Sequence, residues 1–310
     1  MASKFVVVIG SLLLAASARA VSSATSTAPQ VIAEIMTGGK PCASIAARGY
    51  LFAVSGGGTL LRIDPRTNRI RGRLFVGRGP CGIDRGHDEL WVEDYDGNSI
   101  VEVSPRRFRA PGRVRVGGKP WDVAYGFGSV WSSNSLPGTV SRIDPVSRQV
   151  VKSIYTGGSP GCLRIADGSV WVGSASGNDV FRIDPATNVV TSVPIGQGGS
   201  TCLDARDGTG AVWVSDDRTA SVSRVDPTTN QVIATIKIGD SPADGTLGPD
   251  GDEWIPNMGD DTVSGIDPAT NQVVETTAVG SKPFVVRSAF GDIWISNYGG
   301  IDLWRMRVAG

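Results

Sequence analysis

The chain has 310 residues, with 30 Lys and Arg against 30 Asp and Glu, and one histidine. Zero net charge, with basic residues scattered along the sequence, argues against a nucleic-acid partner, because duplex affinity comes largely from neutralised phosphates. At 40% apolar residues, with 41 glycines and eight tryptophans, the chain is long enough for one large all-β domain.

In chain order, Lys4 precedes a short apolar run from Phe5 to Ala16, which ends in Ala18-Arg19-Ala20. A charged start, a short apolar stretch and small residues at the end predict a secretory signal peptide over residues 1–20. The run is too short to span a bilayer comfortably. Residues 21–30 are small and polar, and read as a flexible lead-in. The expected location is secreted or periplasmic, with no membrane insertion after cleavage.

From residue 31 to 310 the sequence repeats with a period near 40, the signature of a repeat architecture. A turn column runs Asp64, Ser104, Asp144, Asp184, Asp226, Asp267 and Arg307. An aromatic column runs Phe52, Trp91, Trp131, Trp171, Trp213, Trp254 and Trp294. A Gly-rich turn ending in proline recurs at Pro41, Pro80, Pro120, Pro160, Pro242 and Pro283, with Ser200 in the remaining slot. Within the repeat that begins at Gly157, residues 161–166, 169–172, 180–183 and 189–195 read as four strands. Asp167-Gly168 makes a two-residue hairpin turn, and Asp184-Pro185-Ala186-Thr187-Asn188 a tight turn. Four strands per repeat with no helical period is one propeller blade. The predicted fold is an all-β, seven-bladed β-propeller of four-stranded blades. Val31 to Met36 match the fourth strands of other repeats, and the C-terminal segment matches third strands. The N-terminal strand is therefore expected to complete blade seven and close the ring.

The motif V-x-R-I-D-P-x-T-N, followed by a Gly-Pro turn and G-x-V-W-V, resembles the repeats of secreted bacterial YVTN-type propellers. It is also similar to the streptogramin (virginiamycin B) lyase-like propellers, over residues 31–308. The resemblance implies the propeller fold. Its lyase branch implies a histidine general base and metal-bound acids at the top of the channel, the face carrying the Gly-Pro turns. His87, the single histidine, falls instead in the turn between the first two strands of blade two, on the bottom face.

Candidate functional residues follow from the columns. Cys42 and Cys81 occupy equivalent slots on adjacent inner strands, as do Cys162 and Cys202. Neighbouring strands about 6 Å apart predict the disulfides Cys42–Cys81 and Cys162–Cys202. A polar residue stands three places after each aromatic: Ser55, Asp94, Asn134, Ser174, Asp216, Asn257 and Asn297. These residues either cap the loops that follow or form a rim for a ligand. Trp121, Asp122 and Tyr95, with Lys40, Lys119, Lys282 and Tyr298 nearby, add an aromatic wall. The run from Asp94 through Asp96 resembles the start of a calcium loop without its closing glutamate, since Pro105 stands in that position. Asp94, Asp96 and Asp216 are weak candidates for Ca²⁺ or Mg²⁺, and no cofactor is otherwise expected. The function these features suggest is a monomeric, non-catalytic binding module for a protein, glycan or small molecule, with its site at the top mouth. The alternative is a metal-assisted lyase or lactonase using the same mouth, with acids drawn from Asp94, Asp122, Asp216 and Asp244.

Overall fold

A computed structural model describes residues 28–196, 199, 202–205 and 210–308. The signal segment, residues 21–27 of the lead-in and Ser200 lie outside the described residues. The chain forms seven four-stranded antiparallel sheets arranged as blades, with no helix among the described residues. Blade four is representative: Pro160–Ala166, Ser169–Ser174, Asp179–Ile183 and Val190–Pro194 run in sequence order from the channel outward. Asp167 and Gly168 both take positive φ, 44° and 69°, as a tight primed hairpin requires. At the outer turn, the Asp184 carboxylate accepts the Ala186 and Thr187 amides at 2.7 and 3.1 Å. Asn188 takes the left-handed position with φ 62°.

Ring closure follows the predicted route. Gln30–Met36 pairs antiparallel with Asp302–Arg307, placing Val31 opposite Met306 and Ile35 opposite Leu303. Blade seven is thus completed by a strand that precedes blade one in sequence and covers the outer edge of Asp302–Arg307.

The aromatic column binds each blade to the next. Trp131 packs against Leu163, Val170 and Ile183 of blade four. Trp294 packs against Leu51, Leu61 and Ile63 of blade one, across the closure. All six column tryptophans and Phe52 are buried. Burying a ring of this size removes roughly 150–250 Å² from water, worth about 4–6 kcal/mol.

A second device lies over the first. In four blades the arginine two places before the turn column stacks on the tryptophan of its own blade and reaches into the turn of the next. Arg142 lies 4.9 Å from the Trp131 ring centre and donates to Pro185 O and Asn188 Oδ1 at 2.7 and 3.2 Å. Arg182 repeats this with Trp171, Pro227 and Asn230. Arg224 repeats it with Trp213, Pro268 and Asn271, and Arg305 with Trp294, Pro65 and Asn68. The other seams vary the theme. Glu102 of blade two pairs with Arg148 in the turn of blade three. Arg62 of blade one lies 4.9 Å from the Phe108 ring centre in the turn of blade two. Blade six has Gly265 at this position, against the face of Trp254.

The cysteines divide. Cys42 and Cys81 form a disulfide with Cα atoms 5.0 Å apart, as expected. Cys162 and Cys202 correct the second expectation: they are brought together, Sγ to Sγ 2.9 Å, but are free thiols. Cys162 Sγ donates to Cys202 Sγ, and this hydrogen bond and burial push the Cys162 thiol well above its ordinary pKa.

Candidate functional site

Four inner strands begin at their turn proline, at Pro41, Pro120, Pro160 and Pro283, so the residue after the proline stands at the channel rim. The residue four places after each column aromatic heads the loop above it. Together these positions enclose a cavity of about 500 Å³ at the top mouth. Its walls are Tyr95, Trp121, Phe284 and Tyr298, with Met258, Pro80 and Cys81 between them, drawn mainly from blades two, three, six and seven. Tyr95 meets Trp121 edge-on, with centroids 6.2 Å apart and planes at 76°. Phe284 and Tyr298 are 5.7 Å apart. Lys119 Nζ lies 4.5 Å from the Tyr95 ring centre and also pairs with Asp96 at 2.6 Å. Lys40 Nζ lies 5.3 Å from the Tyr298 ring centre.

The floor of this cavity carries Glu93, 1% exposed. Its Oε1 accepts the backbone amides of Cys81 and Gly82, while its Oε2 is buried without a hydrogen-bond partner. Burial pushes its pKa well above the ordinary carboxylate range, and the negative charges of Asp122 and Asp94 add to this, against the two amide hydrogen bonds. A buried carboxyl with one unpartnered oxygen therefore lies among the aromatic walls. Glycine at 82 permits the arrangement, because a β-carbon there would strike Asp122 and press on Glu93.

Of the residues expected at the mouth, Tyr95 and Trp121 line the cavity together. The polar column does not reach it. Asp94 accepts the Arg78 and Gly97 amides and pairs with Arg113. Asn134 Nδ2 donates to Thr139 and Ser141, and Asn257 Nδ2 donates to Thr262 and Ser264 in the same way. Asn297 Nδ2 donates to Asp302, and Asp216 accepts the Arg218 and Thr219 amides. All five are buried. Their side chains hold the loops that follow them, and those after Asp94 and Asn297 carry Tyr95 and Tyr298. Asp96 is exposed beside Lys119. Among the described residues no group of three or more His, Cys, Asp or Glu side chains converges as a metal site. His87 is exposed in its bottom turn, with φ 55°.

Asp122 belongs to a second, deeper layer that the column reading did not anticipate. Arg164, 8% exposed, reaches from blade four to Asp122 of blade three at 3.1 Å and Asp204 of blade five at 3.6 Å. It also pairs with Asp244 of blade six, which Arg287 of blade seven contacts at 2.5 Å. Burial pushes Asp122 up against the pull of Arg164. At Asp244 burial acts the same way, but Arg164 and Arg287 together outweigh it and hold the carboxyl below its usual range. Below this layer lies a small polar cavity of about 90 Å³, which shares no lining residue with the mouth. The sequence did hold a signal for both layers. Four places after the proline column stand Asp84, Arg164, Asp204 and Arg287, charged residues on strands that must face the channel. Two places after the aromatic column stand Val54, Ser133, Gly173, Ser215, Pro256 and Ser296, and in blade two Glu93.

No protein-family profile matches the sequence, and no curated protein matches it. Among solved structures, the chain is similar to virginiamycin B lyase from Staphylococcus aureus, with TM-score 0.80 and 14% identity over 91% of this chain and 100% of that one. A catalytically inactive histidine-to-alanine variant of that lyase, solved with quinupristin, gives TM-score 0.79 and 14% identity over 91% and 99%. The WD40 β-propeller domain of Doa1 gives TM-score 0.76 and 15% identity over 90% and 97%. At these identities the likeness establishes the seven-bladed propeller fold, which enzymes and non-enzymes share.

Proposed function

We propose that this chain is an exported, non-catalytic binding module that takes its ligand into the aromatic cavity at the top mouth. The observation that carries this reading is the convergence there of Tyr95, Trp121, Phe284 and Tyr298 around one polar group, Glu93. An apolar pocket of several hundred Å³ with few, fixed polar groups is the usual form of a small-molecule site. The acids that a catalytic reading would use are engaged elsewhere. Asp94 holds a loop, and Asp122 and Asp244 are tied to Arg164. His87, on the opposite face, is too remote to serve as a base at the mouth. Export is supported by the signal-like N-terminus and by the Cys42–Cys81 disulfide. N-terminal sequencing of exported protein is expected to start at Val21, and a mature chain beginning at Met1 would contradict it.

A second reading is a lyase or lactonase at the same mouth. The likeness to virginiamycin B lyases and the buried carboxyl of Glu93, whose pKa burial raises, favour it. A divalent ion for such chemistry lacks an assembled donor set among the described residues. Incubation with quinupristin and a series of lactones, followed by chromatography, separates the two readings. Solute recovered unchanged, together with calorimetric binding that Trp121→Ala weakens, supports the binder. Conversion that Glu93→Gln abolishes supports the enzyme.

A further inference from the structure

The mouth cavity has an unusually narrow chemistry. Its described lining holds four aromatic rings, a methionine and one carboxyl, with no basic, amide or aliphatic hydroxyl side chain. Lys40 and Lys119 meet the rings of Tyr298 and Tyr95 but are not part of that lining. An anion would find no positive side chain inside, and would face Glu93. A sugar or other polyol would bury several hydroxyls against a wall with too few partners for them, at a cost. A cation is different. The faces of Trp, Tyr and Phe attract positive charge, most strongly where water is excluded. Glu93 Oε2, buried and without a partner, is where a charged donor would end.

We infer that the mouth binds an organic ammonium ion with an apolar body, its head on Glu93 and its body between Tyr95, Trp121, Phe284 and Tyr298. The inference rests on the reading of the mouth as a binding site. The ammonium becomes the partner that Oε2 lacks, and any proton the carboxyl carries leaves to solvent, so charge is conserved. The charged groups around Glu93 fit this exchange. Asp94 on the same strand is neutralised by Arg113, and Asp122 on the neighbouring inner strand by Arg164. Neither arginine lines the cavity, so neither competes for Glu93.

Three probes carry the same phenyl ring on a short alkyl chain with different heads: 2-phenylethylammonium, 2-phenylethanol and 3-phenylpropanoate. Calorimetric titration of each into the mature chain is expected to show the ammonium binding at least about tenfold more tightly than the alcohol, with the carboxylate weakest. Glu93→Gln should weaken the ammonium by about tenfold or more and leave the alcohol nearly unchanged. Trp121→Ala should weaken both. Equal affinities for ammonium and alcohol, both reduced by Trp121→Ala, would overturn the charge assignment while keeping the mouth as the binding site. Absence of binding by all three would overturn both. The comparison of heads on the unsubstituted chain decides the matter even if Glu93→Gln fails to fold.

Discussion

At the seams of the ring, Arg142, Arg182, Arg224 and Arg305 perform one task four times, each on its own tryptophan and each in the turn of the next blade. In the channel, Arg164 performs a task that has no copy: it ties Asp122, Asp204 and Asp244 from three other blades. The seam residues lie in sequence columns that repeat, and the channel residues lie in columns that do not. The difference teaches where to look in a repeat protein. Repetition marks what every blade needs in order to hold its neighbour. Departure from repetition, on strands facing a shared axis, marks what the molecule needs once. The mouth obeys the same rule, since Glu93 and Trp121 are single occurrences in their columns.

The largest test of the seam side is removal of its closing strand. A chain beginning at Thr37 leaves Asp302–Arg307 as an open edge and uncovers Leu303. It is expected to aggregate or to lose most of its stability. Melting like the mature protein would remove the closing strand from the account. On the channel side, Arg164→Met leaves three buried carboxylates without their common partner. It should cost about 3–5 kcal/mol by chemical denaturation. A loss below about 1 kcal/mol would mean the layer is a passenger, not a tie. Next in size, Arg182→Ala removes the stack on Trp171 and the two turn contacts, and should cost about 2 kcal/mol. Gly265→Arg asks the opposite question at the seam that lacks the clasp, and should give no gain, because a side chain there presses on Trp254.

A smaller effect reads the mouth through pH. Folding raises the pKa of Glu93 above the ordinary 4.5. The unfolded chain therefore loses this proton first as pH rises. Stability falls as pH climbs past 4.5 and levels off once the folded value is passed. Glu93→Gln should flatten that decline without lowering the melting temperature near pH 4. A steeper decline in the variant would mean that Glu93 is ionised in the folded state. The smallest effect belongs to His87→Ala, expected to leave both stability and binding unchanged within about 0.5 kcal/mol. A clear loss of binding would move the site to the other face.

The fold could be read from the chain alone because its information is redundant. The turn column, with four copies of D-P-x-T-N, the aromatic column and the proline column each count the blades independently, and each has a direct steric or packing cause. The site could be read only in part. Tyr95 and Trp121 were identifiable as bulky residues at rim positions. Asp94, Asn134, Asp216, Asn257 and Asn297 stand in the right place along the chain, but their side chains turn back into loop hydrogen bonds, a choice that depends on three-dimensional partners such as Arg113 and Ser141. Glu93 was hidden by its neighbour Asp94. Arg164 was hidden because its partners lie 40 to 80 residues away in sequence, on three blades. The Cys162–Cys202 pair shows the same limit: column position brings the sulfurs together without fixing whether a bond joins them.

The arginine that crosses the axis has a consequence for traffic. With Arg164 and its carboxylates spanning the channel, the molecule is a cup and not a pipe. Whatever enters the mouth must leave through the mouth. A polymer cannot be threaded through the ring, so a long partner can present only an end or a side branch. Entry and exit would share one doorway, lined by Tyr95, Trp121 and Tyr298.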